Sequence, residues 1–190
     1  MNYLTPQSVL DTRCAYTGIG SRKTPPNILA KQRQIATAME QRGFWLWSGG
    51  APGADQAFES GAVACTSFLP WDGFEGKRQV YSILPQAYEI AANFHPMWKA
   101  LSFPVRSLMA RNAHQVLGPT LEHKSNVVIC WTPDGCEDYH HRTRETGGTG
   151  LAISLASSIG VPIVNMCNDF WSEKLSEITD YDFTFIERTQ

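Results

Sequence analysis

Cys14-Ala15-Tyr16-Thr17-Gly18-Ile19-Gly20, followed by Pro25-Pro26 and then by Ile28, Gln32, Ile35, Ala36 and Met39, is the stretch that sets the fold. A short apolar run ends in glycine, two prolines open the next segment, and the apolar positions then recur at helical spacing, which reads as strand, loop, helix. Gly43 closes that helix and Phe44 to Trp47 form a second apolar run. Ala54, Ala57, Phe58, Gly61, Ala62 and Cys65 again follow helical spacing, so the same unit is predicted twice in succession.

Downstream, Ser67 to Trp71 reads as a third strand, and Asp72 to Ser102 loses its period and reads as loops with short helices. Val105, Leu108, Met109, Asn112 and Val116 outline a helix, and Asn126 to Trp131 a buried strand. After a polar connection from Thr132 to Thr146, Ala152, Leu155, Ala156 and Ile159 describe an amphipathic helix ended by Gly160, with a strand over Val161 to Met166. The tail is expected to add a helix around Trp171 to Ile178 and an extended segment containing Phe183 and Phe185. Alternating strands and helices predict an α/β fold: a single Rossmann-like domain, 1–190, with a mostly parallel sheet covered by helices on both faces. Its core is expected over about 14–166, with 167–190 as a C-terminal extension.

A chain of 190 residues that is 43% hydrophobic can bury one sizeable core. Its formal net charge of -2 gives no general attraction for nucleic acid or an anionic membrane, so any anion must be held by local geometry. No apolar stretch approaches the roughly 20 residues of a membrane span, and Met1 to Asp11 lacks the basic and apolar regions of a signal peptide. The expectation is a cytoplasmic protein without membrane partners. Five cysteines, an odd number, read as reduced thiols.

Three glycine-bearing loops fall after a strand and before a helix: Gly18-Ile19-Gly20-Ser21-Arg22, Ser48-Gly49-Gly50-Ala51-Pro52-Gly53 and Gly147-Gly148-Thr149-Gly150. In a parallel sheet such loops share one edge, where helix amino termini present free N–H groups to anions and glycine lets phosphate approach the backbone. None carries the full dinucleotide fingerprint or the P-loop lysine. As a set, with Ser21, Arg22, Ser48 and Thr149 as side-chain donors, they predict a pocket for a phosphate-bearing ligand.

These motifs, together with Asp55, Phe58, Glu59, Gly61, Ala62 and Met109-Ala110-Arg111-Asn112, resemble the SLOG superfamily, which includes DNA-processing protein A and the Lonely-guy phosphoribohydrolases. The resemblance spans about Cys14 to Met166 and implies a Rossmann-like fold and a homo-oligomer, for which 72–102 could supply an interface. Similarity to the phosphoribohydrolases implies hydrolysis of a base from a nucleoside 5′-monophosphate, with Arg111 in the arginine's place. Their motif glutamate falls here on Ser154, which cannot stabilise the positive charge developing on the sugar. Asp55, Glu59, Asp134 or Glu145 would have to replace it.

Binding without turnover is therefore the leading expectation: sensing or sequestering a nucleotide-derived small molecule such as an ADP-ribose-type or cyclic nucleotide signal. The enzyme alternative is N-glycoside hydrolysis. Similarity to DNA-processing protein A implies single-stranded DNA binding through Arg106 and Arg111-Asn112, a third reading that the acidic balance opposes.

Asp55 is expected to cap the second helix, to contact ligand, or both. Trp131, at the end of its strand, either stacks on a base or packs in the core. Cys136, His140 and His141 match no standard zinc spacing, so neither metal nor cofactor is assigned, and a mobile lid carrying Arg142 and Arg144 is expected there instead.

Overall fold

Successive side chains along a strand point to opposite faces, and here the two faces of the sheet feed different helical layers. The structure, a computed structural model, describes residues 14–188; Met1 to Asp11, read above for a leader, lies outside them. The strands are β1 (Ala15–Gly18), β2 (Trp45–Ser48), β3 (Cys65–Ser67), β4 (Val128–Cys130) and β5 (Ile163–Asn165). All neighbours pair in parallel, in the order β3-β2-β1-β4-β5, with Tyr16 opposite Leu46, Thr17 opposite Val128 and Val128 opposite Ile163. This is a Rossmann-like sheet, and its order reverses between β1 and β4, where ligands of such folds bind.

The helices are α1 (Pro26–Gln41), α2 (Ala54–Glu59), α3 (Pro85–Phe94), α4 (Phe103–Leu117), α5 (Thr149–Ser158), α6 (Trp171–Thr179) and α7 (Thr184–Arg188). On one face Val128, Cys130 and Ile163 meet Ala87 and Ala91 of α3, Ala110 and Ala113 of α4 and Ile153 of α5. On the other, Tyr16, Leu46, Ile129 and Val164 meet Ile35 and Met39 of α1, Phe58 of α2, Leu175 of α6 and Ile186 of α7. Among the described residues no helix is long and apolar enough to cross a membrane, and all five cysteines are free.

Several elements depart from the sequence reading. The helix expected to reach Cys65 stops at Glu59, because Gly61 lies so close to α1 that a Cβ there would stand 2.2 Å from the Arg33 carbonyl oxygen. Cys65 instead opens β3, which precedes the expected Ser67 to Trp71 strand, although Phe68 and Leu69 remain buried. The 72–102 segment, read as loops with short helices, contains the ten-residue α3, whose Ala87, Ile90, Ala91 and Phe94 recur at helical spacing and pack on the core. α5 is buried on all sides from Thr149 to Ala156 rather than amphipathic. The terminal segment expected to be extended is the short helix α7 after buried Phe183.

Gly61→Ala should cost about 1–3 kcal/mol through overpacking against α1. Chemical denaturation would register the loss, and an unchanged midpoint would show that α1 and α2 yield freely at this contact.

Candidate functional site

The carboxyl ends of β1 and β2, the face of α4 and the amino end of α5 enclose a cavity of about 330 Å³ at the point where the strand order reverses. Its walls draw on Gly20, Ser21, Arg22 and Lys23 after β1, Asp55 of α2, Leu108, Met109, Arg111, Asn112 and Gln115 of α4, and Thr146 to Thr149 before α5.

Position 111 is the centre of this arrangement. Arg111 is 8% exposed, and its Nη1 donates to Asp55 Oδ2 at 3.1 Å, a buried ion pair joining α4 to α2. Asp55 Oδ2 also accepts the Ala51 N–H at 3.3 Å, so its carboxylate closes the loop after β2 rather than capping through the first helical residue, Gly53 being the N-cap. Burial pushes the Asp55 pKa above the ordinary carboxylate value, and the neighbouring Arg111 charge pulls against it. One turn along α4, Gln115 accepts the Gly49 N–H at 3.0 Å and donates to Asn112 Oδ1 at 2.8 Å in the amide orientation that satisfies all its neighbours. Asn112 in turn donates to the Gly148 carbonyl at 2.9 Å, tying α4 to the loop before α5.

The glycine loops divide by what surrounds them. A Cβ on Gly49 would stand 1.2 Å from Arg111 Nη1, so this glycine makes room for the guanidinium. Gly18 is pressed against Phe58 and Leu46, Gly20 against Ala54 and the Trp131 backbone, and Gly150 against Arg142. Gly50 abuts Leu69, and the buried Ser48 hydroxyl donates to the Gly18 carbonyl at 2.8 Å. Of these, only Gly20 lines the cavity. Gly147 and Gly148, by contrast, are exposed, line the cavity and meet almost nothing at the Cβ position. No side chain caps the α5 amino end that they precede. Thr149 is the first residue of that helix and also lines the cavity. Ser21 turns its hydroxyl onto the Lys23 N–H at 3.0 Å, leaving Arg22 and Lys23 exposed at the rim without an ion-pair partner among the described residues.

Three expectations fall elsewhere. Arg106 does not line the cavity: its Nη2 donates to the Lys99 carbonyl at 2.9 Å, its Nε to the Trp98 carbonyl at 3.2 Å, and its guanidinium lies over the Trp98 ring. Five positions from Arg111 on one helix, it leaves the other face. Trp131 packs with the core containing Tyr16 and Ile129, and its carbonyl, not its ring, serves the site by accepting the Ser21 N–H at 3.1 Å. Arg142 is not on a loose lid: its Nη1 donates to Phe94 O at 3.0 Å and to Ser154 Oγ at 2.9 Å, pinning the polar connection to α3 and α5. Asp134 holds the other end of that connection. Burial opposes its charge, but hydrogen bonds from Thr143, Thr146 and Thr132 bring its pKa down to about 2. Among the described residues no group of His, Cys, Asp and Glu is placed to hold a metal ion, and His141 Nδ1 instead meets Asp138 at 2.6 Å.

The sequence reading missed Lys23, Leu108, Gln115 and Thr146 as lining residues, and quoted Ile19, Ala51 and Met109 only within motifs. A signal existed for most of α4: positions 108, 111, 112 and 115 share one helical face, and three polar residues on a face that turns inward are unusual.

Arg111→Met should destabilise the fold by about 3–5 kcal/mol near neutral pH, because it leaves Asp55 buried without its counter-charge. With Arg111 gone the Asp55 pKa rises further above its unfolded value. Stability is then present at low pH and lost as pH rises toward that raised value. Lowering the pH from about 7 to about 5 should therefore narrow the gap to the parent protein. Denaturation curves that stay parallel across this range would contradict the pairing.

The chain matches no family model, no curated protein and no solved structure.

Proposed function

We propose that this cavity binds a phosphate-bearing nucleotide or nucleotide-derived small molecule, such as an ADP-ribose-type or cyclic nucleotide signal, and that the protein senses or sequesters it. The observation that carries this reading is the uncapped amino end of α5 opening onto the same cavity as Arg22 and Lys23. A ten-residue helix concentrates partial positive charge and free N–H groups at that end. Three cations against one carboxylate line the cavity, an excess of positive charge in a chain whose formal charge is -2. Ile19, Leu108 and Met109 supply an apolar wall suited to a base or sugar. The resemblance to the SLOG superfamily supports the same reading.

N-glycoside hydrolysis is the second reading, and one observation favours it. Of the four carboxylates considered as replacements for the motif glutamate, Asp55 lines the cavity, whereas Glu59 is held by Ser67 and Lys77 and Asp134 by Thr143 and Thr146. At position 154 the serine hydroxyl donates to Gly150 O at 2.7 Å and accepts from Arg142, which leaves a hydrogen-bonded strut there. Single-stranded DNA binding loses one of its two expected arginine contacts, since Arg106 is engaged elsewhere.

Incubation with nucleotides, followed by denaturation and analysis of what is released, separates the first two readings: intact ligand supports sequestration and free base supports hydrolysis. Gly148→Leu should abolish nucleotide binding while preserving the fold, since the new side chain would project into the anion path with only Met109 Cε nearby, 3.5 Å from the added Cβ. Unchanged affinity by calorimetry in a folded variant would refute the phosphate assignment.

A further inference from the structure

An acidic residue inside a cavity built to attract anions is a cost unless its remaining lone pairs are used. The two oxygens of Asp55 are not equivalent. Oδ2 is committed to Arg111 Nη1 and the Ala51 N–H. Oδ1 accepts no protein hydrogen bond among the described residues, yet it is not one of the sealed, partnerless polar atoms of the interior, so it opens onto the cavity that Asp55 lines. Arg111 and Ala51 both hold Oδ2, which leaves Oδ1 as the oxygen available to a ligand.

That oxygen repels phosphate and accepts from hydroxyl or amino donors. The anionic end of a ligand is drawn to the α5 amino end and to Arg22 and Lys23, and Leu108 and Met109 provide apolar contact. What faces Asp55 must be a donor attached to the same molecule, close to its phosphate. In a nucleotide the group that meets those requirements is the sugar, whose vicinal hydroxyls suit one carboxylate oxygen with two lone pairs. In Rossmann sheets an acid near the end of β2 commonly reads the ribose. Here the acid comes from the first turn of α2, just beyond that strand end.

Resting on the nucleotide reading of the cavity, we propose that Asp55 Oδ1 accepts from the ribose hydroxyls of the ligand. The site is then selective for ribonucleotides over their deoxy counterparts, with Asp55 as its specificity-determining residue and Arg111 as the residue that positions it.

The test uses the full chain and calorimetric titration with the four ribonucleoside 5′-monophosphates and with the 2′-deoxy and 3′-deoxy forms of each. The best-bound ribonucleotide should lose about ten- to a hundredfold in affinity when a hydroxyl is removed, the scale of one hydrogen bond to a charged group. Asp55→Asn combined with Arg111→Gln replaces the ion pair with a neutral pair of similar shape, and in this variant the ratio should fall to about threefold or less. Equal binding of ribo and deoxy forms by the unmodified protein would overturn the proposal even where the variant fails to fold. So would a preference that persists in the folded double variant. In both cases nucleotide binding itself would stand. Absence of binding by these monophosphates, and by ADP-ribose and cyclic nucleotides titrated alongside them, would instead overturn the nucleotide reading, and this inference with it.

Discussion

The Arg111–Asp55 ion pair is the constraint around which the cavity edge of this protein is organised. Neither charge could be buried alone at tolerable cost, and each partner stands on a different element: Arg111 on α4, Asp55 at the start of α2. The pair therefore holds the loop after β2 against the helix that backs the sheet. Gln115 and Asn112 extend the connection to Gly49 and to Gly148, so that the loop after β2 and the loop before α5 share one polar network through α4. Such a network specifies geometry more than it adds stability, because most of its favourable terms offset desolvation.

The arrangement changes how glycine-rich sequence should be read. Gly18, Gly20, Gly49 and Gly150 are small because other protein groups occupy the space where their side chains would be, including a guanidinium, an aromatic ring and a neighbouring backbone. Gly147 and Gly148 face open space. The same residue type thus does two jobs within one edge, and motif spacing alone does not separate them. Separation comes from asking what a Cβ would strike.

The parallel sheet and its two helical layers were legible because apolar runs and helical spacing alternate along the chain, and a buried parallel sheet leaves that strong imprint on residues such as Val128, Ile129 and Val164; the order of the strands was not. The bounds of α3 were not read although Ala87, Ile90, Ala91 and Phe94 keep helical spacing, because that stripe spans only ten residues inside a long segment without other period. The end of α2 was misplaced because Gly61, Ala62 and Cys65 continue a helical period that close contact with α1 interrupts. At the site, Arg111, Asn112 and the loop before α5 were identifiable from residue type and place. Trp131 and Arg106 were not, because the direction in which a side chain leaves its element depends on neighbours distant in sequence. Arg142 was mistaken for a lid residue for a related reason: its three acceptors, Phe94, Gly150 and Ser154, lie on two helices that no local pattern connects to it.

The C-terminal turn has a consequence for biosynthesis. Phe183 and Ile186 are fully buried in the same cluster as Tyr16, Ile35 and Leu46, which lie near the beginning of the described chain. During vectorial synthesis the cover of this face, begun by α1 and α2, stays incomplete until residue 186 has left the ribosome, and the remaining aromatic and aliphatic surface is meanwhile open to unproductive contacts. The opposite face, completed by α5, can close earlier. The two sides of one sheet thus mature at different times on the nascent chain, and the side bearing α1 is the one for which a chaperone's protection would matter longest.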